Sequence, residues 1–293
     1  KLLLNSTAIA TVAALTSGAA LADVSITAGT EWSYNSRSSQ VAANDGTTFG
    51  TDSEIKFSFT NKTDSGLTIG YVVELESDDT DTAINESSIS ISGGFGKVVL
   101  GENDGAGDTF DVMAQDLIAE EAAPAVTSSS IATSTGITLA DGDTNKIAYY
   151  LPAMGGLTVG ASFTDSGATT GTDSTNFGAN YKMTAGDVAI TIGGATATTE
   201  VSGAADNDSQ NLGIKLVSGS MSFSASQSEN TTANDDLQST AAAISYKMAN
   251  GMVLGAYTFK SEDDLDTSEE YTKSGVELQY TVAAGLTAVI NVD

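Results

Sequence analysis

The sequence predicts an all-β fold, a transmembrane antiparallel up-and-down β-barrel, and three observations predict it. Apolar residues recur with period two in segments of roughly ten residues, the length a tilted strand needs to cross a bilayer. Short turns alternate with longer polar, acidic connections along the chain. The lysines of the segments fall on the polar register, leaving the apolar register uncharged.

The alternation is plain in Leu67, Ile69, Tyr71, Val73 and Leu75, separated by Thr68, Gly70, Val72, Glu74 and Glu76. Leu157, Val159, Ala161 and Phe163 repeat it around Thr158, Gly160 and Ser162. Each is a strand with one apolar face. About fifteen such segments are present, beginning near Asp23, Asp52, Gly66, Glu86, Gly96, Asn145, Leu157, Ser174, Asp187, Ser209, Ser220, Leu237, Met252, Tyr271 and Leu286.

Short turns fall at Asn61 to Ser65, Gly93 to Phe95, Pro152 to Gly156, Thr184 to Gly186, Ser218-Gly219, Ala249 to Gly251 and Ala283 to Gly285. Four of them place a tyrosine five residues before a glycine: Tyr150 and Gly155, Tyr181 and Gly186, Tyr246 and Gly251, Tyr280 and Gly285. The repeating unit is a hairpin. One end of the structure is therefore trimmed and the other decorated.

Charge placement separates a membrane sheet from a soluble one, because a Lys or Arg on the lipid face near the midplane costs about 2–4 kcal/mol. Ile55/Phe57/Phe59, Val98/Leu100, Ile147/Tyr149, Phe177/Tyr181, Leu212/Ile214/Leu216, Ile244/Tyr246, Val253/Tyr257/Phe259 and Val276/Leu278/Tyr280 form the apolar register. That assignment puts Lys56, Lys97, Lys146, Lys182, Lys215, Lys247, Lys260 and Lys273 on the other face, with Glu54, Glu74, Glu76 and Glu277. Aromatics gather toward strand ends, Phe59, Tyr181, Tyr246 and Tyr280 at the short-turn end and Trp32, Tyr34, Phe163, Tyr257 and Phe259 at the other, as interfacial girdles would.

Residues 1–22 carry Lys1, an interrupted apolar stretch and Ala20-Leu21-Ala22 before the first acid, Asp23. These are the marks of a secretory signal peptide, with a retained membrane anchor as the alternative. Without them, 38 acids face 10 bases, a net charge of −28. Such a chain, with Arg37 as its single arginine, is repelled by nucleic acid. It has no His and no Cys, which excludes Ser-His-Asp and Cys-His chemistry and imidazole or thiolate metal sites. A closed antiparallel barrel with both termini at the short-turn end needs an even strand count. Leu286 to Val292 heads for the long-loop end, so a further C-terminal strand returning beside Asp23 to Tyr34 is expected, giving sixteen strands when complete and a barrel domain over 23–293 that is truncated.

The longest connection, 103–144, opens with Gly93-Gly94-Phe95-Gly96-Lys97-Val98-Val99-Leu100-Gly101-Glu102-Asn103-Asp104-Gly105-Ala106-Gly107-Asp108-Thr109-Phe110. Asp108 can cap a short helix whose positions Phe110, Met113, Ala114, Leu117 and Ile118 share an apolar face, with Pro124 beyond its end. On this stretch above all, and through strand rhythm elsewhere, the chain resembles the general porins of Gram-negative outer membranes, of the trimeric sixteen-stranded kind found in alphaproteobacteria. The resemblance implies an outer-membrane location, a homotrimer, and a third loop folded into the lumen to narrow the channel. By position, the constriction acids are Asp104, Asp108, Asp111, Asp116, Glu120 and Glu121, and the wall opposite carries Lys56 beside Glu54, Glu74 and Glu76. The family's arginine cluster and its terminal strand ending in an aromatic have no counterpart here.

The expected activity is passive diffusion of small hydrophilic solutes, with a negative potential that favours cations, and no catalysis. No cofactor is expected. The acid clusters Asp78 to Asp81, Asp141 to Asp143, Asp206 to Asp208 and Glu262 to Asp264 could offer oxygens to Ca²⁺ or Mg²⁺ but match no EF-hand, so solvated loop charge is the favoured reading. The rivals are a secreted acidic surface-layer or adhesin protein, whose apolar faces would be buried in a sandwich, and a glycosidase using Glu74 and Glu76, which has no second supporting motif.

Overall fold

The computed structural model describes residues 2–10, 23–37, 46–76, 84, 86–118, 144–165, 167, 173–265 and 270–292. Among them are sixteen strands: β1 (Leu2–Ala10), β2 (Asp23–Arg37), β3 (Gly46–Lys62), β4 (Thr68–Glu76), β5 (Glu86–Gly93), β6 (Gly96–Glu102), β7 (Asn145–Tyr150), β8 (Leu157–Thr164), β9 (Ser174–Ala185), β10 (Val188–Thr199), β11 (Asn207–Ser218), β12 (Met221–Thr231), β13 (Asp236–Lys247), β14 (Val253–Asp263), β15 (Glu270–Ala283) and β16 (Leu286–Val292). Each pairs antiparallel with its neighbours in sequence, and β1 also pairs with β16, so the sheet closes into a barrel. Closure removes the unpaired edges that an open sheet would present.

From β2 onward the strands begin within two residues of the positions expected, except β3, which starts at Gly46 rather than near Asp52. The seven short turns stand where the sequence puts them. At one of the two-residue turns, Ala185 pairs with Val188 across Gly186-Asp187, and Gly186 takes φ 60°, a left-handed conformation that a side chain would strain.

The seam differs from expectation. The place beside β2 that the sequence leaves for a returning C-terminal strand is filled by Leu2–Ala10, in register from Leu2↔Tyr34 to Ala10↔Ile26 on one side and from Leu2↔Ile290 to Ser6↔Leu286 on the other. Backbone N–H and C=O groups along β2 and β16 need partners, and any extended apolar segment within reach supplies them. The strand thus comes from within the stretch expected to be a leader.

Burial is inverted relative to a soluble sheet. Ile69 (41%), Leu212 (54%) and Ile290 (50%) are exposed on the outer face, while the inner face holds fully buried Asn176, Ser224 and Ser239. The register carries this round the barrel: inward Asn176 pairs with Ala197, which pairs with Ser209, then Asn230. An adhesin-type sandwich needs the opposite arrangement. Aromatics cluster outside at the rims, with Trp32 and Tyr34 against Phe49 (ring centroids 5.4 and 5.3 Å) and Phe59 against Tyr71 (6.0 Å).

One strand reverses the expected faces. In β14, Tyr257 and Phe259 point inward and are buried, and Leu254, Thr258 and Lys260 point outward, because Ala243 and Ala241 of the inner face of β13 pair with Tyr257 and Phe259. The two rings join Ala114, Ile118, Ala241 and Ala243 in an apolar cluster inside the barrel. Lys260 sits outside near the long-loop end, 2.5 Å from Glu262 and 3.3 Å from Glu270. Tyr257 and Phe259 therefore belong to no girdle. Their burial supplies the apolar seat that the long loop requires.

Candidate channel constriction

The loop after β6 turns into the barrel and crosses the inner wall from β8 to β14. Lys146, buried on β7, holds its root by donating from Nζ to the Asn103 carbonyl. The Ala106 N–H donates to Ser162 Oγ (2.9 Å) on β8, and Phe110 lies buried with its ring 5.9 Å from that of Tyr150. The Val112 N–H donates to Asn211 Oδ1 (3.3 Å) on β11. On β12, Ser226 Oγ accepts from the Ala114 N–H (2.7 Å), and Ser224 Oγ donates to the Met113 carbonyl (3.3 Å). Ile118 then enters the cluster with Tyr257 and Phe259.

The helix expected after Asp108 does not form. In its place are a turn in which the N–H groups of Phe110 and Asp111 donate to the Gly107 carbonyl (3.0 Å each) and one 3-10 turn, Ala114–Leu117. The wall side chains take the backbone groups that a helix would bond internally, so the segment is held stretched across the sheet. Its apolar residues still bury, as the sequence requires.

Of the expected constriction acids, Asp104 and Asp116 are exposed and Asp108 and Asp111 are half-buried on this segment; Glu120 and Glu121 lie outside the described residues. Asp116 Oδ2 accepts from the Met113 N–H (3.3 Å). Surrounding protein pushes its carboxyl above the ordinary aspartate value, opposed by that N–H and by the positive charge of Lys215 on β11.

The wall residues Lys56, Glu54, Glu74 and Glu76 come together on the inner face of β3 and β4. Glu54 pairs in register with Glu76, and Lys56 with Glu74. Lys56 Nζ is 2.5 Å from Glu74 Oε2 and 3.4 Å from Glu86 Oε2. Two carboxylates thus hold one ammonium, with Glu54 and Glu76 beside them on the same face, and the patch is net acidic. Glu86 was not singled out from sequence, although its place opposite Glu74 across the β4–β5 hairpin follows from the register. The loop anchors Ser162, Asn211, Ser224 and Ser226 were also missed. Their signal is a small polar residue repeating on one face of strands whose other face is apolar.

Other inward lysines are likewise engaged: Lys97 lies 5.7 Å from the centre of the Tyr150 ring and Lys273 5.8 Å from that of Tyr257. Among the acid clusters, Asp78 to Asp81 and Asp141 to Asp143 fall outside the described residues. Asp208 accepts from Thr198 Oγ1 (2.6 Å), and Asp263 accepts from the N–H groups of Asp236 and Leu265 (3.0 and 2.9 Å), so these two order their own loops. No three acids converge on a metal-sized space among the described residues.

A closed barrel with an apolar exterior, a polar interior and a loop laid across its lumen defines the class of channel-forming membrane barrels. The profile of the Gram-negative porin family matches residues 8–293, and the chain belongs to that family, whose members are channels of the outer membrane. A mutant porin from Rh. blastica aligns with 92% of this chain and 100% of its own at 17% identity and a TM-score of 0.65. The anion-selective porin from Comamonas acidovorans aligns with 100% of this chain and 89% of its own (18% identity, TM-score 0.61), and a loop-deleted OmpT from Vibrio cholerae with 100% and 98% (14%, 0.57). No curated protein matches the chain in sequence.

Proposed function

We propose that this porin is a passive diffusion channel for small hydrophilic solutes that prefers cations. One observation carries the reading: carboxylates outnumber bases on both inner surfaces. Asp104, Asp108, Asp111 and Asp116 line the loop, and Glu54, Glu74, Glu76 and Glu86 share a face of the early strands with Lys56, which pairs with Glu74 and Glu86. Acids on both sides produce a negative potential along the path rather than a field across it, which concentrates cations and repels anions. Selectivity follows side chains and not fold, since the similar barrel from Comamonas acidovorans is described as anion-selective.

The composition of residues 1–22 supports a leader removed during export, against which the pairing of Leu2–Ala10 with β2 and β16 stands, and the sequence resemblance supports a homotrimer. The working partners are outer-membrane lipid, solutes and cations, and no cofactor takes part. The test is the reversal potential of the protein in planar bilayers under a KCl gradient. Cation preference gives a potential of the sign set by K⁺ permeation. A potential of opposite sign, or no conductance, overturns the proposal.

A further inference from the structure

The loop's path follows a line of missing side chains. Along it, inward positions on successive strands are glycines: Gly160 on β8, Gly178 on β9, Gly193 on β10 and Gly213 on β11, with Gly255 on β14 under the loop's far end. The pairs Gly160↔Gly178 and Gly193↔Gly213 stand directly opposite each other across their strands. A β-carbon at Gly213 would overlap the Val112 carbonyl oxygen, and one at Gly193 would overlap the Phe110 carbonyl oxygen and come within 2.6 Å of Val112 Cγ2. At Gly178 it would meet Phe110 Cβ at 2.9 Å and the Ala106 oxygen at 3.1 Å, and at Gly160 it would meet Phe110 Cε2 at 2.7 Å. At Gly255 the nearest atom is Ile118 Cγ2, at 3.3 Å.

We infer that these glycines are positioning residues for the constriction: they cut a track into the inner wall, and the depth of that track sets how far the acidic loop stands into the lumen. Ser162, Asn211 and Ser226, which accept from the loop's N–H groups, and Ser224, which donates to its Met113 carbonyl, fall between the glycines and hold the loop down. Backbone cannot yield as a flexible side chain does, so a methyl group at Gly213 or Gly193 lifts the loop toward the channel axis by about 1 Å or more. Substitution at Gly178 meets mainly the Phe110 side chain and displaces the loop less, and substitution at Gly255 displaces it least.

The inference rests on the reading of this loop as the constriction, and its test separates the two. Full-length Gly213→Ala, Gly193→Ala, Gly178→Ala and Gly255→Ala are compared with Gly70→Ala. Gly70 lies on the inner face of β4, away from the loop, where the close contact of a β-carbon is with the rotatable Ser90 hydroxyl, at 2.6 Å, and the Phe59 carbonyl oxygen stands at an ordinary 3.8 Å. Folding is verified by heat-modifiable gel migration. Single-channel conductance falls roughly 1.3-fold or more in Gly213→Ala and Gly193→Ala, less in Gly178→Ala, and stays at the parental level in Gly255→Ala and Gly70→Ala.

Loop position is also read without current. In this cysteine-free chain the pair Ala114→Cys and Ser226→Cys, oxidised with copper-phenanthroline, forms a disulfide, and adding Gly193→Ala or Gly213→Ala lowers its yield at least twofold. Equal conductance and equal cross-linking across the folded variants overturn the track. Failure of the cation reading leaves the cross-linking result intact. Should Gly213→Ala not fold, the graded order of the remaining three decides.

Discussion

Lys56 Nζ lies 2.5 Å from Glu74 Oε2, and Glu74 is almost fully buried while the lysine side chain keeps 40% of its surface exposed. The pair joins β3 to β4 on the inner wall, and with Glu54, Glu76 and Glu86 around it the lysine is outnumbered. Replacing it with a neutral residue removes the positive charge from this acidic patch. Lys56→Met therefore raises the cation-to-anion permeability ratio, by roughly twofold, measured from reversal potentials. The variant also leaves a buried carboxylate without its nearest counter-charge, lowering stability by about 1 kcal/mol after allowance for the exposed lysine.

Acid titration reads the loop directly. The surrounding protein, by partly desolvating the solvent-reached Asp116 carboxyl, holds it above the ordinary aspartate value, so this group takes up its proton at a higher pH than a free aspartate. As the pH falls, the first loss of cation preference begins above that ordinary value, and Asp116→Asn removes this first step. The sign for stability is the reverse of a salt-bridged acid: the folded state holds the proton more tightly. The contribution of Asp116 is full below the unfolded value and is lost as the pH rises through the folded one. Reversal potentials and denaturation midpoints across the acid range test both.

The outer face is predicted to refuse charge. Leu212 stands exposed in the middle of β11, and Leu212→Arg destabilises the barrel by about 2–4 kcal/mol when refolded into phospholipid vesicles. Asp208→Asn on the same strand, near its long-loop end, changes stability far less. A soluble protein would accept arginine at an exposed leucine without cost.

The N-terminus makes its own prediction. The intact mass of protein purified from outer membranes corresponds to a chain beginning at Asp23 when residues 1–22 are removed. A chain that keeps Leu2–Ala10 means instead that this strand is a lasting part of the wall, as its pairing with both β2 and β16 shows it can be.

Much of this is legible in the amino-acid sequence. Period-two alternation located β2 to β16 because a wall with lipid outside and polar groups inside imposes one polarity on each register, and glycine-bearing turns marked six of the seven short hairpins. Register put Lys56, Glu54, Glu74 and Glu76 on one polar face, and the family resemblance gave Lys56 its place on the channel wall. The faces of β14 did not, since Tyr257 and Phe259 obey the alternation with the opposite sense. Only the passage of Ala114 and Ile118 beneath them makes an inward aromatic favourable. Local pattern equally gave a helix after Asp108, because it could not show that Ser162, Asn211 and Ser226, 56 to 112 residues along the chain from the groups they bond, would take the loop's backbone groups. The glycine track is invisible for the same reason: each glycine looks like a weak strand residue until the loop is laid over it.

The division of the wall into a lipid side and a water side can be measured at two adjacent residues. Glu54 is exposed on the inner face of β3 and Ile55 on the outer. In liposomes, Glu54→Cys reacts with a membrane-impermeant thiol reagent, whereas Ile55→Cys resists it and, once carrying a fluorophore, is quenched by nitroxide-labelled acyl chains. Aqueous labelling of Ile55→Cys with quenching at Glu54→Cys, or identical behaviour of the two, contradicts the account.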